Sequence, residues 1–489
     1  MKGKTNVKVV TIALFVATFM SAVEGTVVST AMPTIVGDLH GVSLMNWVFS
    51  IFLLTNSIAT PIYGKLADQL GRKSVFIFGL VVFVIGSMLS GMSNSMGTLI
   101  LWRAVQGVGA GVIMPVSFTI IADMYSFEKR AQIVGLNGSA WGIASVVAPL
   151  LGGFLVDNLS WHWVFFINVP IGILTIVLIA LFLHEPKRKI ESKMDLPGVV
   201  LIAVLLFSIM YMFQVLSEAP INWAMVIGCL IVALVSGFLF YKQEKRAADP
   251  LIPIQMFKSR TFVTQNLIAA LISGFIFGYE VYLPDWTQGI LGLKATMAGF
   301  AITPSSVLWL IGSFVSGKMI LKYRPQQIMN FSLSFILVGA ICMVFLPITT
   351  PFWIFFVLSA VLGTGFGITI TTSTVTVQNE VPPEHVGVAS SFNTLSRTLG
   401  QTIMISIFGI VMNTSMAKGV SNHPGTSLKM MNTLINPQTA VNLSEKVLPV
   451  LHEILYTAIH NIFILALLLV ILSYVVNWFD HKKMQKKTN

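Results

Sequence analysis

Gly64-Lys65-Leu66-Ala67-Asp68-Gln69-Leu70-Gly71-Arg72-Lys73 stands between two long apolar runs, residues 46–63 and 74–93. Two glycines, one acid and three cations cannot enter a bilayer cheaply, so this short link has to turn tightly at a membrane surface. Gly64 lets neighbouring helices approach closely, and Gly71 suits a sharp turn with φ above zero. Asp68 and Arg72 are four residues apart, a spacing that would let them pair if helix continued that far.

The rest of the chain supports the membrane reading. Of its 489 residues 55% are hydrophobic and 10% charged, with a mean hydropathy of +0.83, which excludes a soluble domain of this size. A net charge of +11 would suggest nucleic acid in a soluble protein. Here lysine and arginine gathered in cytoplasmic loops account for it, and no nucleic-acid partner is expected. The two cysteines, Cys229 and Cys342, fall inside apolar runs and read as small packing residues. Lys2, Lys4 and Lys8 before an apolar stretch imitate a secretory signal, but that stretch continues past Glu24 to Ala31 and reads as a retained first helix.

Apolar runs long enough to span recur at roughly 9–31, 45–66, 75–94, 97–122, 132–156, 162–183, 196–216, 223–242, 262–289, 297–320, 327–347, 352–376, 386–412 and 457–478, which makes fourteen. Charge bias tests the count. Of the 30 lysines and arginines, Arg103 and Arg397 lie inside spans and Lys294, Lys418, Lys429 and Lys446 in alternate loops; all others share the opposite side. A wrong count would scramble that asymmetry. The expectation is an all-α integral membrane protein with fourteen transmembrane helices and both termini cytoplasmic.

The loop at 64–73 resembles that after the second helix of the major facilitator superfamily, Gly-x-Leu-Ala-Asp-x-x-Gly-Arg-Lys, at all seven patterned positions. The resemblance implies a cytoplasmic gate latch made by Gly64, Asp68, Gly71, Arg72 and Lys73. It also implies two six-helix halves related by a parallel repeat. Spans 196–216 and 223–242, set between basic loops, then read as an insertion between the halves. The expected division is 1–184, a linker 185–260 with two extra helices, and 261–489, with a long outer loop at 413–456. An interfacial amphipathic helix is expected around 441–455.

Further motifs extend the resemblance from about residue 10 to 410. Arg103-Ala104-Val105-Gln106-Gly107 matches the family's Arg-x-x-Gln-Gly block, associated with proton coupling, and Gly107 and Gly111 form a small-x-x-x-small packing face. Residues 138–153 carry Gly138, Gly142, Pro149, Gly152 and Gly153 and are similar to the antiporter signature Gly-Pro-x-x-Gly-Gly, with Ala148 where glycine is usual. That signature separates exporters from importers. Residues 23–33 resemble the fourteen-helix drug:proton antiporter pattern, with Glu24 in place of the usual aspartate. Trp161-His162-Trp163-Val164-Phe165-Phe166-Ile167-Asn168-Val169-Pro170, Asp195-Leu196-Pro197-Gly198 and residues 388–397 also look like that branch.

Carboxyls within spans are few: Glu24, Glu280 and, nearer an outer end, Asp285. Glu24 and Arg103 stand at matching depth on oppositely running helices, so they are expected to act together as the proton-coupling pair. Glu280, on the repeat-equivalent helix, and Asp285 are candidates for a substrate or proton site. Asp123 and Glu380, at cytoplasmic ends, read as gate or cap residues, and Arg397 has no assignable partner. An ATP-driven pump is excluded because Gly3-Lys4-Thr5 lacks the rest of a phosphate loop, and no His-Glu-x-x-His occurs to suggest an embedded enzyme. No metal or cofactor is expected. The reading is proton-coupled export of lipophilic, often cationic, small molecules. The alternatives are export of one endogenous solute such as a lipid, peptide or siderophore, and a non-transporting membrane receptor.

Overall fold

The computed structural model describes residues 5–125, 127–185, 195–216, 221–247, 254–320, 322–381, 386–435 and 437–484, and all of its regular structure among them is helical. In chain order the helices are α1 (Val7–Leu39), α2 (Met45–Leu70), α3 (Arg72–Gly91), α4 (Met96–Ala110), α5 (Ile113–Met124), α6 (Phe127–Asn158), α7 (Trp163–Phe166) and α8 (Asn168–Phe182). Then come α9 (Leu196–Leu216), α10 (Trp223–Arg246), α11 (Arg260–Gly289), α12 (Ala295–Met319), α13 (Pro325–Val344) and α14 (Phe352–Asn379). The chain closes with α15 (Val386–Asn422), α16 (Leu428–Ile435), α17 (Pro437–Ala440) and α18 (Leu448–Met484). Thirteen stretches among the described residues are long and apolar enough to cross a membrane. The further span expected at 132–156 lies within α6, a continuous helix of 32 residues.

Two compact units emerge. One contains residues 1–31, 47–209 and 228–251; the other contains 32–46, 210–227 and 252–489. This partition differs from the expected 1–184, 185–260 and 261–489 in two respects. The outer hairpin 32–46, which joins α1 to α2, clusters with the C-terminal helices, and the extra pair α9 and α10 is shared between units.

In the first unit α3 packs along α4 and α8 around Phe76, Leu80, Phe83, Val112 and Val116, all fully buried. The start of α9 is held by Asp195, whose carboxylate accepts from the Gly198 N–H (3.1 Å) and from Gln243 on α10 (2.7 Å). The motif Asp195-Leu196-Pro197-Gly198 is thus a helix cap that also ties the inserted pair together. In the second unit α14 lies against α12 so closely that a Cβ at Gly363 or Gly367 would come within 2.1 Å of a backbone carbonyl. Asn393, from the block 388–397, donates to Asn266 on α11 (3.0 Å) and Ser373 on α14 (3.1 Å), pinning three helices with neutral groups.

The outer segment departs from expectation. Residues 413–456 are largely helical: α15 runs on to Asn422 and α18 already begins at Leu448. α16 buries Met431, Leu434 and Ile435, and of the helix expected at 441–455 the part from Leu448 onward is the start of α18. Cys342 is exposed and Cys229 half-buried, so neither is a core packing residue.

Candidate functional site

The site of the first unit begins with glycines. A Cβ at Gly107 would fall 2.1 Å from Thr55 Oγ1 and 2.4 Å from the Phe52 carbonyl, so α4 can sit on α2 only because none is present. Gly152 does the same for α6 against α1, facing the Val27 carbonyl at 2.9 Å. This close packing brings Arg103 on α4 face to face with Glu24 on α1, and both are buried, 1% and 0% exposed.

Arg103 pairs with Glu24 Oε1 through one guanidinium nitrogen, which also donates to Gln106 Oε1 at 2.9 Å. Its Nε donates to the Val48 carbonyl at 3.3 Å, and its plane lies over the Phe52 ring at 4.1 Å. The other carboxylate oxygen of Glu24 accepts from Asn168 Nδ2 at 2.5 Å. Asn168 in turn donates to Ser87 Oγ (3.1 Å), whose own proton goes to the Phe165 carbonyl (2.9 Å). Each oxygen of the acid therefore has its own donor, and the geometry on both sides is fixed by a further bond. A buried ion pair is tolerable only with this degree of satisfaction.

Asn168 and Ser87 were not singled out as functional from sequence. Asn168 stands inside the quoted block 161–170, and a polar amide just before Pro170 at the start of a span was the available signal. Of the antiporter-signature residues, Pro149 and Gly153 are buried and Gly152 meets α1 as described. Gly138 and Gly142 lie on the helical backbone of α6, with their surroundings outside the described features.

The stretch 64–73 takes its expected turn at Gly71. Helix α2 ends at Leu70, Gly71 adopts φ +94°, and Arg72 opens a new helix. The helix therefore does not continue from Asp68 to Arg72. Arg72 forms an ion pair with Asp123 at the end of α5 and donates to the Thr119 carbonyl at 3.1 Å. Lys73 Nζ donates to the Ala180 carbonyl at 2.6 Å. The N-terminus of α3 has no side-chain cap of its own; Glu185 supplies one, accepting from the Arg72 and Lys73 N–H groups at 2.9 and 3.1 Å. The side chain of Asp68 and the surroundings of Gly64 lie outside the described features.

The carboxyls of the second unit differ from each other. Glu280 is half-buried, while Asp285 is 0% exposed and neither of its oxygens has a hydrogen-bond partner. Arg397 is half-buried with its Nε unpartnered. No group of three or more histidine, cysteine, aspartate or glutamate side chains among the described residues could hold a metal.

Comparison with known proteins agrees with this architecture. The family model of the Major Facilitator Superfamily matches residues 14–405. The multidrug transporter protein MdtP of Bacillus subtilis is 35% identical over 84% of this chain and 76% of its own length. Multidrug resistance protein 3 of the same organism is 33% identical over 99% of this chain and 97% of its own. A crystal structure of a bacterial homologue of the human lysosomal transporter Spinster, inward-facing and occupied, superposes with a TM-score of 0.71 at 16% identity, covering 97% of this chain and 96% of that one. The chain is a multi-pass membrane protein that belongs to the Major Facilitator Superfamily.

Proposed function

We propose that the protein is a proton-coupled secondary transporter that exports lipophilic, often cationic, small molecules across the cell membrane, with Glu24 as the exchanging carboxyl. The observation that carries this reading is the saturated buried network on Glu24: one acid, one fixed cation and a polar amide at membrane depth, linked to each other and closed off from solvent. An intramembrane ion pair marks a functional site by default. The names of the curated relatives, multidrug transporters covering most of this chain, support drugs or toxic compounds as the cargo class.

The chain's residues suggest the cycle. With Glu24 ionised, the carboxylate and Arg103 balance each other. A proton taken from the outer water onto Glu24 cancels one partner, and the guanidinium is then held by Gln106, the Val48 carbonyl and the Phe52 ring. Releasing that proton inward restores the pair. Substrate from the inner side favours the ionised form, so export and proton entry are linked. Asp68, Arg72 and Lys73 act as the inner latch, with Arg72 anchored on Asp123 and the start of α3 held by Glu185.

The test is substrate-induced proton release from purified protein, with a lipophilic cation as the probe. Glu24→Gln is expected to abolish release and uphill efflux, while Glu24→Asp retains part of both. Undiminished release in Glu24→Gln would place the coupling proton elsewhere. A susceptibility panel of unrelated lipophilic compounds in an expressing strain tests the breadth of cargo; protection against none of them would favour a single endogenous solute.

A further inference from the structure

Asp285 is a fully buried acid of the second unit that the proposed cycle leaves without a purpose. It lies on α11 between Tyr282, one turn earlier, and Gly289, one turn later, so all three share a helix face. Each neighbour holds part of a cover. The Tyr282 hydroxyl donates to Asn46 Oδ1 at 2.7 Å, and Asn46 belongs to the outer hairpin 32–46. The same hairpin is tied by its Val42 N–H to Asn432 Oδ1 on α16 (3.3 Å) and by the Ser43 carbonyl to Asn413 Nδ2 on α15 (3.3 Å). At Gly289, a Cβ would meet Leu455 at 2.6 Å and the backbone of Ile435 at 3.4 Å, so α16 and α18 close over that turn.

Between these covers Asp285 has no exposure and no donor at either oxygen. Its neighbour Trp286 is stacked on Phe463 and edge-on to Phe355 and Tyr456 (ring centroids 5.3–5.8 Å apart), with its own Nε1 unpartnered. An ionised carboxylate enclosed this way costs several kcal/mol, and only a bound positive charge or access to water relieves it.

We propose that Asp285 is a second proton-binding carboxyl, separate from Glu24, and that its proton keeps the outer hairpin 32–46 and α16 seated. Loss of that proton leaves a charge that the packed arrangement cannot hold, so the covers lift and water reaches the acid. Binding a proton from the outer water lets them close again. The device therefore opens the outer end when Asp285 is deprotonated, and it operates with no cargo present.

Other titratable groups stand on the elements packed here. Asp38, His40, Lys418, Lys429 and Glu453 are exposed; Glu280 on α11, Arg397 on α15 and His452, Tyr456 and His460 on α18 are half-buried; Tyr279 and Tyr282 on α11 are buried; α14 carries none. Neither oxygen of Asp285 bonds to any of them. Among the described residues the half-buried rivals are Glu280 on α11 and the two histidines on α18, and the test separates them.

The experiment is hydrogen exchange of the full chain in lipid nanodiscs without substrate, read as protection factors for residues 32–46 and 428–435 across pH 5–9. Wild type is expected to lose protection in both segments together as pH rises, by about tenfold or more. Asp285→Asn should keep both protected throughout, Tyr282→Phe should loosen the hairpin at every pH, and Glu280→Gln, His452→Gln and His460→Gln should each respond as wild type does. An undiminished pH response in Asp285→Asn, or its loss in any of these last three, would overturn the proposal. Neither outcome depends on whether Glu24 carries the transported proton, which is read by proton release instead.

Discussion

Glu24 and Asp285 are both fully buried acids, one on the first helix of the chain and one on α11, yet their surroundings are opposites. Glu24 has a separate donor for each oxygen, a fixed guanidinium and an amide, and each donor is itself held by a second bond. Asp285 has none. A saturated site can change its charge while its neighbours stay in place, because the dipoles that would have to reorganise are already oriented. A bare site cannot, and a change of charge there must be answered by movement of the protein around it. Proton exchange is accordingly proposed for the saturated acid, and movement of the surroundings for the bare one.

The largest expected effect comes from making the first site resemble the second. Arg103→Met leaves Glu24 buried and facing only Asn168, and breaking a buried pair from one side costs about 3–5 kcal/mol. The variant should show a large fall in thermal stability in detergent. Adding Glu24→Gln in the same chain should recover much of the loss, since removing both charges leaves nothing unpaired. A double variant as unstable as Arg103→Met alone would mean that the arginine acts through packing on Phe52, and the contrast between saturated and bare acids would lose its basis.

A smaller change removes only one donor. Asn168→Ala strips Glu24 Oε2 of its partner but leaves Arg103 in place, and it also releases Ser87. A lost hydrogen bond to a charged group is worth about 1.5–3 kcal/mol. Stability should fall by less than in Arg103→Met, and the pH profile of substrate-induced proton release should move while its amplitude remains. An unchanged profile would show that the amide is structural and does not act on the acid.

How much of this was legible in advance varies with the kind of interaction. Spans, charge bias and the Glu24–Arg103 pairing could be read because each is local or follows from depth along two helices. Asn168 was within a quoted block, but its role depends on α8 lying against α3 and α1, which spacing along one helix does not encode. The Arg72 partner shows the same limit. The spacing along one helix does not reveal that Arg72, opening a new helix after the positive φ at Gly71, pairs with Asp123 on α5. The sequence marks Asp285 as a candidate substrate or proton site but says nothing of its surroundings. Its lack of donors comes from α14, α16 and α18 arriving from far along the chain, and the outer segment that covers it was read as loop because its apolar face is only eight residues long.

The smallest expected effect is the most discriminating for the second site. Replacing Asp285 by Asn exchanges one neutral, unpartnered group for another of nearly the same shape, provided the acid carries its proton in the closed arrangement. No hydrogen bond is lost, since none is made. Thermal stability near pH 7 should therefore change by no more than about 1 kcal/mol, the ordinary range for a substitution that removes no contact. Glu24→Gln, the same chemical change at the saturated site, turns an amide N–H donor toward one of the two donors that Glu24 accepts from and should destabilise clearly. A marked stabilisation by Asp285→Asn would mean that the closed form had been enclosing an ionised carboxylate at a cost. In that case the covers do not respond to the charge beneath them, and the two acids differ in packing alone.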